Sequence, residues 1–175
     1  YKIIIVLAGL HNNLRAQTQI RLDEGFLGFA SDGEDRPAIG VGLIDSDLSI
    51  RPNSGTDRTN GGDFRTSNAA AIGNISPEER PWIFVVKKNK TVLERLQHWI
   101  RNRVADHVDP ETGRKLVTNL PLLVIDDESD HGSVDTGENA VDENGNPDLE
   151  HEPKTINRLI RSILHHFSRK VYVGY

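Results

Sequence analysis

Carboxylates gather directly after a short apolar run in the second half of the chain. Residues 122–125 are continuously apolar, which is typical of a strand buried on both faces of a parallel sheet. Asp126, Asp127 and Glu128 follow at once, at the end where open α/β sheets bind ligands. An aspartate there can hold Mg²⁺ through oxygen and water, and a neighbouring glutamate can orient or deprotonate water. The pattern therefore predicts a Mg²⁺ site with a glutamate placed to act on water.

Residues 127–130 have the D-E-x-D form of a helicase-type NTPase. We expect Asp127 to contact Mg²⁺ through water and Glu128 to orient the attacking water. Asp126 is the alternative metal contact, because two adjacent acids leave the register open by one residue. Asp130 is expected to pair with a basic group elsewhere and to have a coupling role. The structural alternative is a polar turn after a core strand, with Asp130 as a helix N-cap.

Size, charge and composition limit the class of protein. The chain has 175 residues, which predicts a single domain over residues 1–175. A net charge of −5 argues against a nucleic-acid-coating module but leaves room for a local basic groove. Cysteine is absent, which excludes disulfides and thiolate metal sites. No bilayer-length apolar run and no signal peptide are found, so no membrane partner and a cytoplasmic location are expected.

The hydrophobic pattern alternates between strands and helices. Strands are predicted at residues 3–7, 39–44, 82–86, 122–125 and 170–173, and helices at residues 11–23, at 91–104 and from Pro153 onward. This alternation predicts parallel βαβ units with right-handed crossovers. The expected fold is α/β, with three layers and a mostly parallel sheet that carries helices on both faces.

Two long segments interrupt this alternation. Residues 45–81 are rich in Asp, Asn, Ser, Gly and Arg and predict a loop-rich insertion, with a short helix near residues 69–72. Residues 131–152 are acidic and rich in Gly and Asn, and no Lys or Arg occurs between Lys115 and Lys154. Such a segment buries too little apolar area to order itself, so we predict a mobile loop.

The start of the first helix carries side chains that suit a phosphate backbone. Asn12, Asn13, Arg15 and Gln17 are candidate nucleic-acid contacts, because amides and Arg commonly bind phosphates. Helix capping and a solvated helix face are an equally weighted alternative. Three lysines that follow the strand at 82–86 could also face nucleic acid, although a solvated turn is the favoured interpretation: Lys87, Lys88 and Lys90.

Three stretches together resemble a known family. Residues 4–19 look like a strand and helix that follow a P-loop, residues 123–130 look like a Walker B motif, and residues 171–175 look like the strand before a Thr-Ala-Thr-Pro coupling motif. The chain thus resembles the Z-one domain family, superfamily-two helicase-like proteins often labelled endonucleases in prokaryotic restriction and defence-type systems. The resemblance implies a partial P-loop NTPase, a RecA-like lobe that acts on nucleic acid, with DNA favoured.

The chain departs from that family in one essential part. No G-x-x-x-x-G-K-[ST] loop, which would cradle the nucleotide phosphates, occurs in the sequence. Both ends fall within apparent core strands, so we expect an internal piece of a longer protein, with the P-loop before Tyr1. Mg²⁺ and ATP would bind the intact protein, and the piece alone would not hydrolyse ATP. The alternative is a non-catalytic helicase-like module that supports a partner nuclease or ATPase.

Overall fold

The computed structural model describes residues 1–45, 47, 49, 51–65, 80–127, 129 and 152–175. Its strands are β1 (Ile3–Leu7), β2 (Asn53–Ser54), β3 (Trp82–Val86), β4 (His107–Val108), β5 (Lys115–Leu116), β6 (Leu122–Asp126) and β7 (Lys170–Gly174). Its α-helices are α1 (Asn12–Leu22), α2 (Lys90–Trp99) and α3 (Glu152–His165). One π-helical turn extends α1 over Asp23–Leu27 and another extends α2 over Ile100–Val104.

A parallel five-stranded sheet organises the chain in the order β2-β3-β1-β6-β7. β1 lies at the centre, and its last residue, Leu7, is level with Val86 of β3 and Asp126 of β6. The chain adds β3 on one side of β1 and β6 on the other side. The order therefore reverses at the carboxyl end of β1, the position where open α/β sheets form ligand crevices.

Apolar side chains cover both faces of this sheet, so the predicted three-layer α/β fold is confirmed. On one face, Ile3, Ile5 and Leu7 pack in a large cluster with the buried stripes of α2 and α3. On the other face, Val6 and Ala8 pack with residues from the end of α1 and its π-helical extension. The alternation follows from the two-residue period of a strand. Each fully buried Leu or Ile contributes about 1.5–3 kcal/mol.

The predicted strand at residues 39–44 is wrong. A short 3₁₀ helix, Gly40–Leu43, occupies this position. Gly40 has a φ of +52°, and a Cβ there would collide with the carbonyl oxygen of Glu24. Gly42 packs equally closely on the backbone of Gly28. Close backbone packing, which requires glycine, therefore outweighs the apolar pattern of the segment.

Several smaller features were not predicted. β4 and β5 form a separate antiparallel pair on either side of residues 109–114, and β2 lies within the predicted loop-rich insertion. The helix predicted near residues 69–72 lies outside the described residues, and so does the predicted acidic loop except for Glu152, where α3 begins.

Strand β3, which pairs with β1, and strand β7, which pairs with β6, differ in burial. All five residues of β3 are buried, whereas all five residues of β7 are exposed.

Candidate functional site at the carboxyl edge of the sheet

Asp126 ends β6 with a fully buried side chain. The strand alternation places it on the same sheet face as Leu122 and Val124, which belong to the large core cluster. A buried carboxylate is costly unless it is paired and hydrogen-bonded. Lys88 supplies the charge, with Nζ 2.7 Å from Oδ1 and its own side chain fully buried. Tyr172 of β7 donates its hydroxyl to Oδ2 at 2.7 Å.

The ion pair crosses the end of β1. Asp126 is level with Leu7 and Val86, and Lys88 lies two residues beyond Val86. The position level with Lys88 is Gly9, two residues beyond the end of β1. The Gly9 carbonyl accepts a hydrogen bond from the Lys88 backbone N–H at 3.0 Å. The ends of three adjacent strands are thereby joined above the core.

Asp127, one residue further, lies at the surface of this edge. Its side chain is half-buried, and its backbone N–H donates to the Leu7 carbonyl at 3.0 Å, which continues the ladder between β1 and β6. Tyr175 continues the parallel ladder between β6 and β7 at this edge, since its N–H donates to the Asp126 carbonyl at 3.2 Å. Desolvation and, second, the Asp127 carboxylate raise the pKa of Tyr175. The predicted roles of Glu128 and Asp130 lie outside the described residues.

A pocket of about 390 Å³ lies at the same edge, beside the end of β3 and the start of α1. Its lining consists of Leu10, His11, Asn12, Asn13 and Lys87. Lys87 Nζ donates to the Asn12 side-chain oxygen at 2.9 Å. His11 is the N-cap of α1, and no side chain caps the helix. Exposed helix N–H groups together with a lysine favour an anion such as a phosphate.

Arg15 occupies a different position from the one expected of a nucleic-acid contact. Its side chain is fully buried. The guanidinium donates to the carbonyl oxygens of Asp57 at 2.9 Å and of Gly62 and Val85 at 3.4 Å, and also to that of Thr59. These carbonyls occupy the donors that a phosphate would need, so Arg15 holds a loop in this structure.

The other predicted contacts on α1 remain at the surface. Asn12, Asn13 and Gln17 are exposed. Asn12 and Asn13 are the first two residues of α1 rather than its cap, and both line the pocket. Lys87 joins them there, although the sequence favoured a solvated turn for the lysines. The structure therefore brings the two asparagines and Lys87 together and leaves Gln17 outside the pocket lining.

The buried polar side of α1 was missed by sequence reasoning. Gln19 donates to Asp23 Oδ1 at 2.9 Å and to Ser54 Oγ at 3.2 Å, and it accepts from Thr56 Oγ1 at 2.7 Å. Ser31 donates to Asp23 Oδ2 through both its backbone N–H and its hydroxyl. A signal was present, because three polar residues share one helix face at spacings of four: Arg15, Gln19 and Asp23.

The loop held by Arg15 leads to the pocket. Asp63, near its end, is buried and accepts hydrogen bonds from the backbone N–H groups of Phe64 at 2.8 Å and Lys87 at 3.4 Å. Burial raises the pKa of Asp63, and these hydrogen bonds and the Arg15 charge oppose the rise. Arg15 and Asp63 therefore fix the loop against the segment that carries Lys87 into the pocket.

The number of free carboxylates at this edge decides how a metal ion could bind there. Within the part of the chain that the structure describes, no three His, Asp or Glu side chains group closely enough to hold a metal ion. Asp126 is already engaged with Lys88 and Tyr172. Asp127 remains as a half-buried carboxylate. Mg²⁺ is commonly held by one or two carboxylates together with phosphate oxygens and water, so this donor set fits a Mg²⁺–nucleotide rather than an all-protein cage.

Comparison with known proteins identified no relative of this chain. No family model, no curated protein and no solved structure matches the chain. The helices in the described ranges include none that is long and apolar enough to cross a membrane. Any functional inference therefore depends on the geometry at the carboxyl edge and on the sequence motifs.

Proposed function

We propose that this chain is part of a helicase-like, NTP-hydrolysing domain that acts on DNA, in a cytoplasmic protein of the restriction or defence type. The observation that carries the proposal is the position of Asp127. It follows the buried strand β6, at the edge where the strand order reverses, and it is half-buried and not engaged in the buried ion pair. An acid in this position is where an open α/β sheet would meet a Mg²⁺–nucleotide.

Each acid has a separate role in this proposal. Asp127 holds Mg²⁺ through water, and Glu128 orients the attacking water. Mg²⁺, when bound, neutralises charge on the phosphate oxygens of ATP. Asp126 is assigned no metal role, because Lys88 and Tyr172 already engage its two oxygens. The roles of Glu128 and of Asp130, which would pair with a basic group elsewhere, rest on the D-E-x-D sequence.

Nucleic acid would bind beside the acids, at the pocket. Asn12 and Asn13 present amides and Lys87 presents a cation next to the start of α1, where helix N–H groups favour anions. Gln17 is exposed on the same helix and can extend this contact. Arg15 contributes indirectly, since it holds the loop that ends beside Lys87.

A non-catalytic helicase-like module that supports a partner nuclease or ATPase is the second candidate. The observation that favours this module is that the 175 residues contain no phosphate-binding G-x-x-x-x-G-K-[ST] loop. An intact loop of this kind upstream in the same polypeptide would favour the NTP-hydrolysing domain, and a degenerate one would favour the non-catalytic module.

ATP hydrolysis by the full-length protein that contains this chain tests the proposal. The rate is measured with and without DNA for the wild type and for Asp127→Asn and Glu128→Gln. We expect DNA-stimulated turnover that both variants lose, while the exposed control Asp35→Asn keeps it. No turnover in the wild type, or turnover that survives in both variants, would overturn the proposed NTP-hydrolysing function. Residues 1–175 alone should be inactive.

Binding of single-stranded DNA by residues 1–175 tests the nucleic-acid surface separately. Lys87→Gln should weaken binding and lower the slope of log K against log salt by about 1, because one phosphate contact is lost. Lys115→Gln is the matched control, since Lys115 lies in β5, outside the five-stranded sheet, and its Nζ donates to Asn102 rather than to a residue of the pocket. Equal losses in the two variants would contradict a pocket-specific contact.

A further inference from the structure

We propose that Lys88, Asp126 and Tyr172, here called the strand-end cluster, are positioning residues that hold Asp127 at the ligand edge. This inference rests on the proposed function, because it gives a purpose to the placement of Asp127. The cluster connects the segment just beyond β3, the last residue of β6 and the middle of β7 through two contacts of 2.7 Å each. It does so across the end of β1, over Gly9.

Connectivity is the first argument. Lys88 directly follows Lys87, which lines the pocket, and Asp126 directly precedes Asp127. The ion pair therefore fixes the backbone on both sides of the site at once. Tyr172 adds the third strand, so that Asp126 is held from two directions. Among the described residues, the backbone of Asp127 is hydrogen-bonded to Leu7, at 3.0 Å.

Energetics supply the second argument. A fully buried ion pair is weak evidence for stability, because desolvation of both charges offsets most of their attraction. An apolar pair of similar volume would fill this place in the core equally well or better. Both side chains of the pair are fully buried on the face that also holds the large apolar cluster. A costly charged pair at this point is better explained by the geometry that it imposes on its neighbours.

The test replaces the pair without breaking the core. The double variant Lys88→Met/Asp126→Leu removes both charges together and keeps the volume. It should remain folded, with a melting temperature at or above that of the wild type. Mn²⁺ is then titrated together with a non-hydrolysable ATP analogue into the full-length protein that contains this chain, and paramagnetic broadening of the amide signals of Asp127 and Ser129 is followed. Gln97→Leu, at the contact between α2 and α3, is the control for loss of a polar core contact.

We expect Mn²⁺ to broaden the Asp127 and Ser129 signals in the wild type and in the Gln97→Leu control. The double variant should need about tenfold more Mn²⁺, the loss typical when residues that orient a metal ligand are removed. A folded double variant with wild-type Mn²⁺ affinity would overturn the positioning role and leave Asp127 as the proposed metal contact. Absence of broadening at Asp127 in the wild type would overturn both proposals.

Tyr172→Phe keeps the test decisive if the double variant fails to fold. It removes one hydrogen bond and leaves the ion pair and the ring in place. Its Mn²⁺ affinity should fall in the same direction as that expected for the double variant, by a smaller factor. An unchanged affinity would overturn the contribution of Tyr172 and with it the cluster as a unit.

Discussion

Arg15 and Lys88 are both fully buried cations close to the carboxyl edge of one sheet, and their partners differ. Arg15 projects from α1 and meets backbone carbonyl oxygens, most of them in the loop at residues 57–62. Lys88 follows β3 and meets a single carboxylate, that of Asp126. One cation thus holds a loop and the other holds a strand end.

The chemistry of the two side chains accounts for this difference. A guanidinium has five donors in a planar fork and can serve several carbonyls, whereas an ammonium is a compact point charge. Burial lowers the pKa of Arg15, and the charges of Asp63, Asp57 and Asp23 oppose this from a distance. Lys88 has its counter-charge in direct contact. Loss of Arg15 would leave neutral carbonyl oxygens without this donor, and loss of Lys88 would leave a buried charge.

Lys88→Met should therefore cause the largest loss of stability. Asp126 would remain buried without its counter-charge, which costs about 3–5 kcal/mol. Urea unfolding followed by tryptophan fluorescence measures this loss. The double variant Lys88→Met/Asp126→Leu is the control and should recover most of it. A single variant as stable as the double variant would contradict the ion pair as the source.

Arg15→Met should cost less, about 2–3 kcal/mol, because its carbonyl partners are neutral and the loop lies near the surface. The loss should also be local. Hydrogen exchange at residues 57–63 should rise more than exchange in β1. Arg21→Met, at an exposed position of the same helix, serves as the control and should change neither quantity. Uniform acceleration across the sheet would show that Arg15 supports the whole core rather than the loop.

Tyr172→Phe should have a smaller effect, about 1 kcal/mol, because it removes one hydrogen bond to Asp126 while Lys88 remains. In the Lys88→Met background the hydrogen bond carries more weight, so the second mutation should then cost more. A double-mutant cycle in thermal unfolding measures this coupling. Strict additivity would separate Tyr172 from the ion pair. Tyr1→Phe, at an exposed tyrosine, is the control.

Asp63→Asn should give the smallest effect, visible mainly as a change with pH. Desolvation raises the pKa of Asp63 in the folded protein, so the folded state binds its proton more tightly than the unfolded state does. Stability should then fall as pH rises through the carboxyl range. The variant lacks this loss, and its stability relative to the wild type should be greater at neutral than at acidic pH. Urea midpoints at several pH values test this, and a constant difference would contradict it.

The periodic parts of the fold were predictable from sequence. The strands near residues 3–7, 82–86, 122–125 and 170–173 and the apolar stripe of α2 are confirmed, because each pattern reflects local alternation. The segment at residues 39–44 was not predictable, since its conformation depends on contacts of Gly40 and Gly42 with distant backbone. β4 and β5 are too short to show a period.

The site was predictable to a lesser degree. The sequence pointed to the acids after β6 but could not choose between Asp126 and Asp127, because both follow the apolar run. Arg15 looked like a surface phosphate contact, although it is buried. Lys88 looked like part of a solvated turn. In both cases the partner lies far away in the chain, at residues 57–62 for Arg15 and at Asp126 for Lys88.

The sequence by itself determined the class of fold and the position of an acidic strand end, because hydrophobic period and strand termini are local properties. The tertiary structure alone decided which charged groups are buried and which lie at the surface of the carboxyl edge. Asp126 is buried because the register of β6 sets it level with Leu7 and Val86, where Lys88 can reach it over Gly9. Asp127 lies one residue beyond the end of β6, in the turn that follows, and its side chain is half-buried.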